Sequence, residues 1–438
     1  MELGVSWPGP TVSKEPGGGW SLEPLLGSSG RDDELQEPSA PLGGSLVWPS
    51  NFVREIKSPG HLEVLLLMVG VEVLTNLFRT QKPEDTFYVY ELGILERAYK
   101  EWTRVFPTIR PFYAVKCNPD PRIVNVLANL GSSFDCASPA EIDLVLGMGV
   151  EQERIIYANP CKRRQEIAHA KNLDIKLTTF DSECELEKLA EGGWHQVILR
   201  IRADDPEARC NLGIKYGAEK HEWSALMARC QTLGLALVGI SFHVGSMAKN
   251  PSAFKNGIML AVEAIELSKN FNFDPKIIDI GGGFSSTNVF DLGPVPEQIN
   301  ETISKLDPKF IFIAEPGRYM VEHMATLVTP VMGVKGGGVT ISESLYGAFN
   351  CVLFDHAEPL PGFFLDKFGN KIESRQVPKV LFGSTCDGGD IISKQISLPE
   401  SLTEGDWIVW PRMGAYTSAA TTRFNGIPFN ERPVFVMH

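Results

Sequence analysis

From about residue 110 to 320, short apolar runs alternate with segments of helical period. The runs are FYAVK (112–116), SSFDC (132–136), RIIYAN (154–159), LTTFD (177–181), QVILRI (196–201), LVGISFH (237–243), KIIDIGGG (276–283) and FIFIAEPG (310–317). Between them, apolar positions recur every three or four residues, as in IVNVLANL (123–130), EIDLVLGM (141–148), ECELEKLA (183–190) and AFKNGIMLAVEAIELSK (253–269). Eight strands alternating with helices predict an α/β chain built as a (β/α)8 barrel, somewhat smaller than the ~250 residues typical of that fold. After Met320 the pattern turns to strands and turns, with MATLVTPVMGV (324–334), PKVLFG (378–383) and DWIVWP (406–411) punctuated by Gly and Pro. A mainly β domain is expected there, joined by TFYVYEL (86–92), which precedes the barrel and needs a partner. Residues 1–48 carry PGGG, GSSG and PSAPLGG clusters with no apolar period, a composition that does not order itself. The predicted organisation is a disordered tail over 1–48, a segment over 49–95 that joins the β domain, the barrel over 96–325, and the β domain over 326–438.

Active sites of such barrels collect at the carboxyl ends of the strands. This chain places Lys116, Asp135, Asn159, Asp181, Arg200, His243, Gly281 to Gly283 and Glu315 there. Lys116 ends an apolar run, either as the solvated edge of a strand or as a partly desolvated amine that loses its proton more easily and forms a Schiff base with an aldehyde. The three glycines of IIDIGGGF leave backbone amides uncovered for a phosphate, and Arg318 follows the Pro-Gly of AEPGRYM, where its guanidinium can reach the same anion. A lysine, a carboxylate at the end of the eighth strand and a phosphate site together suit pyridoxal phosphate.

Composition narrows the partners. The chain has 438 residues, 43% of them apolar and 22% charged, and a formal net charge of −13. That charge gives neither nucleic acid nor an anionic membrane surface anything to hold. The most basic run, CKRRQ (161–165), reads as a solvated helix start. The most apolar, VLLLMVGV (64–71), is far shorter than the roughly 20 residues of a membrane span and reads as a core element. Eight cysteines without a CxxC pair, and a start without a signal peptide, predict reduced thiols in a cytoplasmic protein and no metal site.

Nine segments in order, PFYAVKCNP, FDCAS, ERIIYANPCK, SFHVGS, DIGGGF, AEPGRY, NCVLFDHA, TCDGGD and MGAYT, resemble the eukaryotic ornithine decarboxylases, of the alanine-racemase-like class of pyridoxal phosphate decarboxylases. The resemblance spans about residues 80 to 426. It implies that Lys116 is the Schiff-base lysine and Glu315 the partner of the pyridine nitrogen. It further implies that His243 stacks on the cofactor ring, that Ser246, Gly282 and Arg318 hold the phosphate, and that Asp135, Glu141 and Arg154 surround the cofactor. Asp355, Cys386, Asp387 and Tyr416 match residues on the substrate side. In the family the two aspartates bind the distal ammonium of ornithine, and the cysteine protonates the carbanion. The implied reaction is conversion of ornithine to putrescine and carbon dioxide, the entry to polyamine biosynthesis. The implied assembly is a head-to-tail homodimer with shared sites, and the implied regulator is antizyme. The same scaffold serves lysine decarboxylases and catalytically inactive antizyme-binding proteins, which stand as alternatives. His356 follows Asp355 as in ornithine-preferring relatives, a resemblance that implies ornithine. Met247 replaces a glycine usual in the family, and Phe354 replaces a common tyrosine.

Overall fold

The computed structural model of the protein describes residues 59–248, 250–286 and 289–437, with side chains from Gly70 onward. The expected tail over 1–48 and the segment up to residue 58 lie outside the described residues. The apolar run 64–71 falls in helix α1 (Pro59–Gln81). Strand β1 (Phe87–Glu91) and helix α2 (Leu92–Val105) then lead into the barrel.

The barrel strands are β2 (Ile109–Ala114), β3 (Ser133–Cys136), β4 (Ile155–Tyr157), β5 (Leu177–Phe180), β6 (Gln196–Arg200), β7 (Ala236–Ser241), β8 (Ile277–Asp279) and β9 (Ile311–Ala314). They close in sequence order, every neighbour parallel, with β2 returning to β9. Each of the eight apolar runs in the sequence overlaps one of them. Phe112, Ile156, Ile198 and Ile313 fill part of the interior, so the barrel is packed rather than open. The helices are signalled by local chemistry. Pro121–Asn129 and Pro139–Gly147 each start with proline behind a side-chain N-cap, Asp120 and Ser138, whose oxygens accept backbone N–H bonds.

Beyond β9 the chain builds a mixed sheet from β10 (Ala325–Lys335), β11 (Gly338–Ile341), β12 (Phe363–Leu365), β13 (Gln376–Phe382), β14 (Ile391–Pro399), β15 (Trp407–Trp410) and β16 (Val434–Met437). The path is β12-β15-β10-β11-β13-β14, and β1 pairs antiparallel with β10 and parallel with β16. Phe78 of α1 meets Trp407 edge-on, with ring centroids 5.0 Å apart, in an apolar cluster with Phe87, Val328 and Phe363. This packing ties the segment before the barrel to the sheet. Among the described residues no helix is long and apolar enough to cross a membrane.

Candidate active site

The strand β2 ends at Ala114, two residues before the lysine that the sequence put on it. Val115–Cys117 form one 3-10 turn that swings Lys116 over the carboxyl rim. The turn is clamped from both sides. Tyr113 Oη donates to the Asn118 carbonyl at 2.9 Å, Asn118 Nδ2 donates to the Gly414 carbonyl at 2.9 Å, and the Tyr416 N–H donates to the Cys117 carbonyl at 2.9 Å. The MGAYT segment therefore supports the lysine through the backbone.

Lys116 Nζ lies 2.6 Å from Asp135 Oδ2, at the floor of a cavity of about 370 Å³. Burial works against the ammonium, but Asp135 and then Glu315 outweigh it, so the pKa stands above the ordinary lysine value. A wholly buried carboxylate beside the amine thus opposes the desolvation that would free its proton. Glu141 supports the same corner: its Oε2 accepts the Ala137 N–H at 2.6 Å, and burial raises its pKa.

Across the cavity the Glu315 N–H donates to the Gly281 carbonyl at 2.7 Å, pinning the ends of β8 and β9 together. Burial first, then the nearby Asp135 and Asp279, hold the Glu315 carboxyl well above the usual carboxylate range. Burial also pushes Asp279 up to about 7. Asp135, Asp279 and Glu315 thus crowd one rim, with Arg200 among the cations beside them.

His243 Nδ1 accepts the Gly245 N–H at 3.0 Å. Burial, with Arg200 and Lys116 nearby, drives its pKa well below that of free histidine, so the ring is neutral. A Cβ on Gly282 would stand 2.8 Å from His243 Nε2, and one on Gly281, whose φ is +66°, would collide with the Phe242 carbonyl. Side chains larger than hydrogen would close the space over the imidazole.

Arg318 lies on the short helix Gly317–Val321 and is buried. Its Nη2 is 2.6 Å from both Asp355 oxygens and 3.5 Å from Ser246 Oγ, and its guanidinium stands 5.1 Å over the Tyr416 ring. Lys116, His243, Ser246, Gly282, Glu315, Arg318, Asp355 and Tyr416 all line the one cavity. Asp135 lies behind Lys116.

Three expected residues fall elsewhere. Arg154 precedes β4, at the amino end of a parallel strand and therefore on the rim opposite Lys116. It donates to the Ser132 and Ala128 carbonyls and does not line the cavity. Besides Arg318, the cavity wall holds Arg200, at the carboxyl end of β6. Cys386 and Asp387 are exposed and absent from the cavity wall. Asp387 Oδ2 accepts from Tyr346 Oη at 2.7 Å, and Tyr346 stacks on Phe424 with centroids 4.1 Å apart. Reasoning from sequence missed Asp279, although its place immediately before the glycine run marked it.

The basic run at 161–165 is only partly a solvated helix start. Lys162 is buried, its Nζ 2.8 Å from Glu185 and donating to the Asn159 and Thr179 carbonyls at 2.7 and 2.8 Å. Met247 adopts φ +54°, the left-handed region where a glycine is unstrained. Met247→Gly is expected to raise unfolding free energy by about 0.5–1 kcal/mol, the relieved strain exceeding the added chain entropy. Urea denaturation checks this, and a loss of stability would contradict it.

The chain belongs to the family of pyridoxal-dependent decarboxylases: residues 92–322 match the family's pyridoxal binding domain. Within that family it is 39% identical over 364 residues to the chloroplastic ornithine decarboxylase of Nicotiana glauca, covering 79% of this chain and 83% of that one. It is 38% identical over 414 residues to the ornithine decarboxylase of Saccharomyces cerevisiae, covering 86% and 88%. Among solved structures it resembles the arginine decarboxylase of Paramecium bursaria Chlorella virus, with a TM-score of 0.79, 37% identity, and coverage of 84% of this chain and all of that one.

The residues fit pyridoxal phosphate. Arg318 Nε and Asp135 Oδ1 are buried without a hydrogen-bond partner, so each has capacity left for a ligand. Burial and like charge push the Glu315 carboxyl up, the setting in which a basic ring nitrogen pairs with it and relieves the strain on its charge. The bare Gly282 and the neutral His243 leave room for a flat ring.

Proposed function

We propose that this chain decarboxylates L-ornithine to putrescine and carbon dioxide. The observation that carries the reading is the convergence of Lys116, Glu315 and Arg318 on one cavity, in a chain whose relatives named above include ornithine decarboxylases. When bound, pyridoxal phosphate supplies an aldehyde for the amine and a ring that holds the electron pair left by carbon dioxide. Lys116 provides the amine that anchors the aldehyde and yields to the substrate amine, with Asp135 holding its charge and direction. Glu315 keeps a proton at the ring nitrogen, and His243 presents a neutral face to the ring. Ser246, Gly282, Arg318 and Tyr416 take the phosphate end. Asp355 and Asp387 take the distal ammonium, since a cationic tail needs carboxylates. As the bond to the carboxylate breaks, the Cys386 thiol returns a proton to the α-carbon.

The exposure of Cys386 and Asp387, outside the wall of their own cavity, supports a homodimer in which they complete the partner's site. Eight free cysteines support a reducing compartment, the cytoplasm.

The test is carbon dioxide release by the protein with added pyridoxal phosphate, offered L-ornithine or L-lysine. Ornithine is expected to lead in kcat/KM by at least about tenfold, the scale of one methylene in a fitted pocket. Lysine ahead would reassign the substrate, and release from neither would overturn the reading. Cys386→Ala is expected to release carbon dioxide while forming a mixture of products. Pure putrescine at the full rate would remove Cys386 from the protonation step.

A further inference from the structure

Asp355 was expected to bind substrate, yet it lies bidentate on Arg318, the residue expected to hold the phosphate. Both side chains are buried, and the two oxygens each stand 2.6 Å from Arg318 Nη2. A second carboxylate, Glu322, lies 3.8 Å from Arg318 Nη1. One guanidinium therefore already answers two carboxylates, and a phosphate monoester arriving beside them meets like charge at close range. Two features make the Asp355 contact exchangeable rather than fixed. Arg209 Nη1 lies 3.4 Å from Asp355 Oδ2, so an Asp355 that leaves Arg318 keeps a counter-ion. Arg412 lies 3.3 Å from Glu322, so the remaining carboxylate is already neutralised. Asp355 also caps the end of a short helix, Asn350–Phe354, and is followed by His356 at φ +50°, so it lies on no strand.

We propose that Asp355 and the phosphate group of the cofactor compete for Arg318, so that loading of the cofactor displaces Asp355 and makes its carboxylate available to the substrate ammonium. The inference rests on the cofactor reading above and adds an order of events: phosphate first, diamine-forming substrate second. A charge is moved from one task to the other, which keeps the substrate site weak until the cofactor is seated.

The test compares wild type with Asp355→Asn, which keeps the shape and removes the charge. Pyridoxal 5′-phosphate and pyridoxal are titrated by visible absorbance, and inorganic phosphate by the shift in melting temperature. Asp355→Asn is expected to bind pyridoxal 5′-phosphate about tenfold tighter, to leave pyridoxal affinity unchanged, and to gain a larger melting shift from inorganic phosphate. Equal or weaker binding of pyridoxal 5′-phosphate, an equal gain for pyridoxal, or an equal phosphate shift would each overturn the competition. Asp355→Ser serves the same comparison if the asparagine variant does not fold. Wild type that fails to bind pyridoxal 5′-phosphate would overturn the cofactor reading instead, and the inorganic phosphate series would still decide whether Asp355 screens Arg318.

Discussion

Lys116→Ala is expected to lower ornithine turnover by at least about 10³-fold, because the residue both anchors the cofactor and exchanges with the substrate amine. The structure adds a second consequence. Asp135 is wholly buried, Lys116 at 2.6 Å is its one counter-charge within 4 Å among the described residues, and its other oxygen is unpartnered. Removing the ammonium therefore leaves a buried carboxylate that takes up a proton or destabilises the rim. Lys116→Arg separates the two effects: it keeps a cation at Asp135 and hence the melting temperature, while turnover stays lost. Steady-state kinetics paired with thermal denaturation read both. A Lys116→Ala enzyme that retains most of its turnover would remove the lysine from the chemistry.

The largest expected loss of stability lies outside the cavity, at Lys162. Burial lowers its pKa to about 8 and Glu185 pulls it back, so the side chain is charged at neutral pH. It satisfies Glu185 and two backbone carbonyls on different elements, the loop after β4 and the strand β5. Lys162→Met fills similar volume but leaves these acceptors unanswered, with Lys188, 2.5 Å from Glu185, as the remaining cation. A loss of about 3 kcal/mol in unfolding free energy is expected by denaturant titration. Since Asn159 and Pro160 belong to the cavity wall, cofactor affinity should fall with it. The double variant Lys162→Met/Glu185→Leu should recover part of the loss, as burying an apolar pair avoids the stranded charge. A single variant within 1 kcal/mol of wild type would show that Lys188 and water suffice.

Much of the barrel was legible because the chemistry of a parallel barrel is directional. Several apolar runs are followed, at their carboxyl ends, by a residue that faces the cavity, and Arg200, His243 and Glu315 stand in its wall as that rule expects. The same rule distinguishes the two arginines. In RIIYAN the arginine precedes the apolar residues and so lies at the amino rim, whereas in QVILRI it follows them. Placing Arg154 by resemblance alone ignored that direction. The end of β2 was misread because Val115 continues the apolar pattern while the backbone has already turned into a 3-10 turn; periodicity reports side-chain burial, not the backbone hydrogen bonds that end a strand. The burial of Lys162 was not legible in CKRRQ, since its partners, Glu185 and the carbonyls of Asn159 and Thr179, are brought to it by tertiary packing. The pairing of Asp355 with Arg318 joins residues on different domains of the predicted scheme and leaves no local signal.

The pairing of β1 has a consequence for how this molecule can be taken apart. Tyr88 stands opposite Leu327 on one side and Val434 on the other, so a strand made before the barrel is an interior member of a sheet made after it. The barrel is in effect a cassette spliced into the sheet. A fragment that starts after Glu91 can carry all eight barrel strands, but no single cut yields a complete sheet. Exchanging barrels between relatives would call for two junctions, one near residue 92 and one near residue 324, whereas a one-crossover chimera would inherit a sheet whose β1 comes from one parent and its two neighbours from the other.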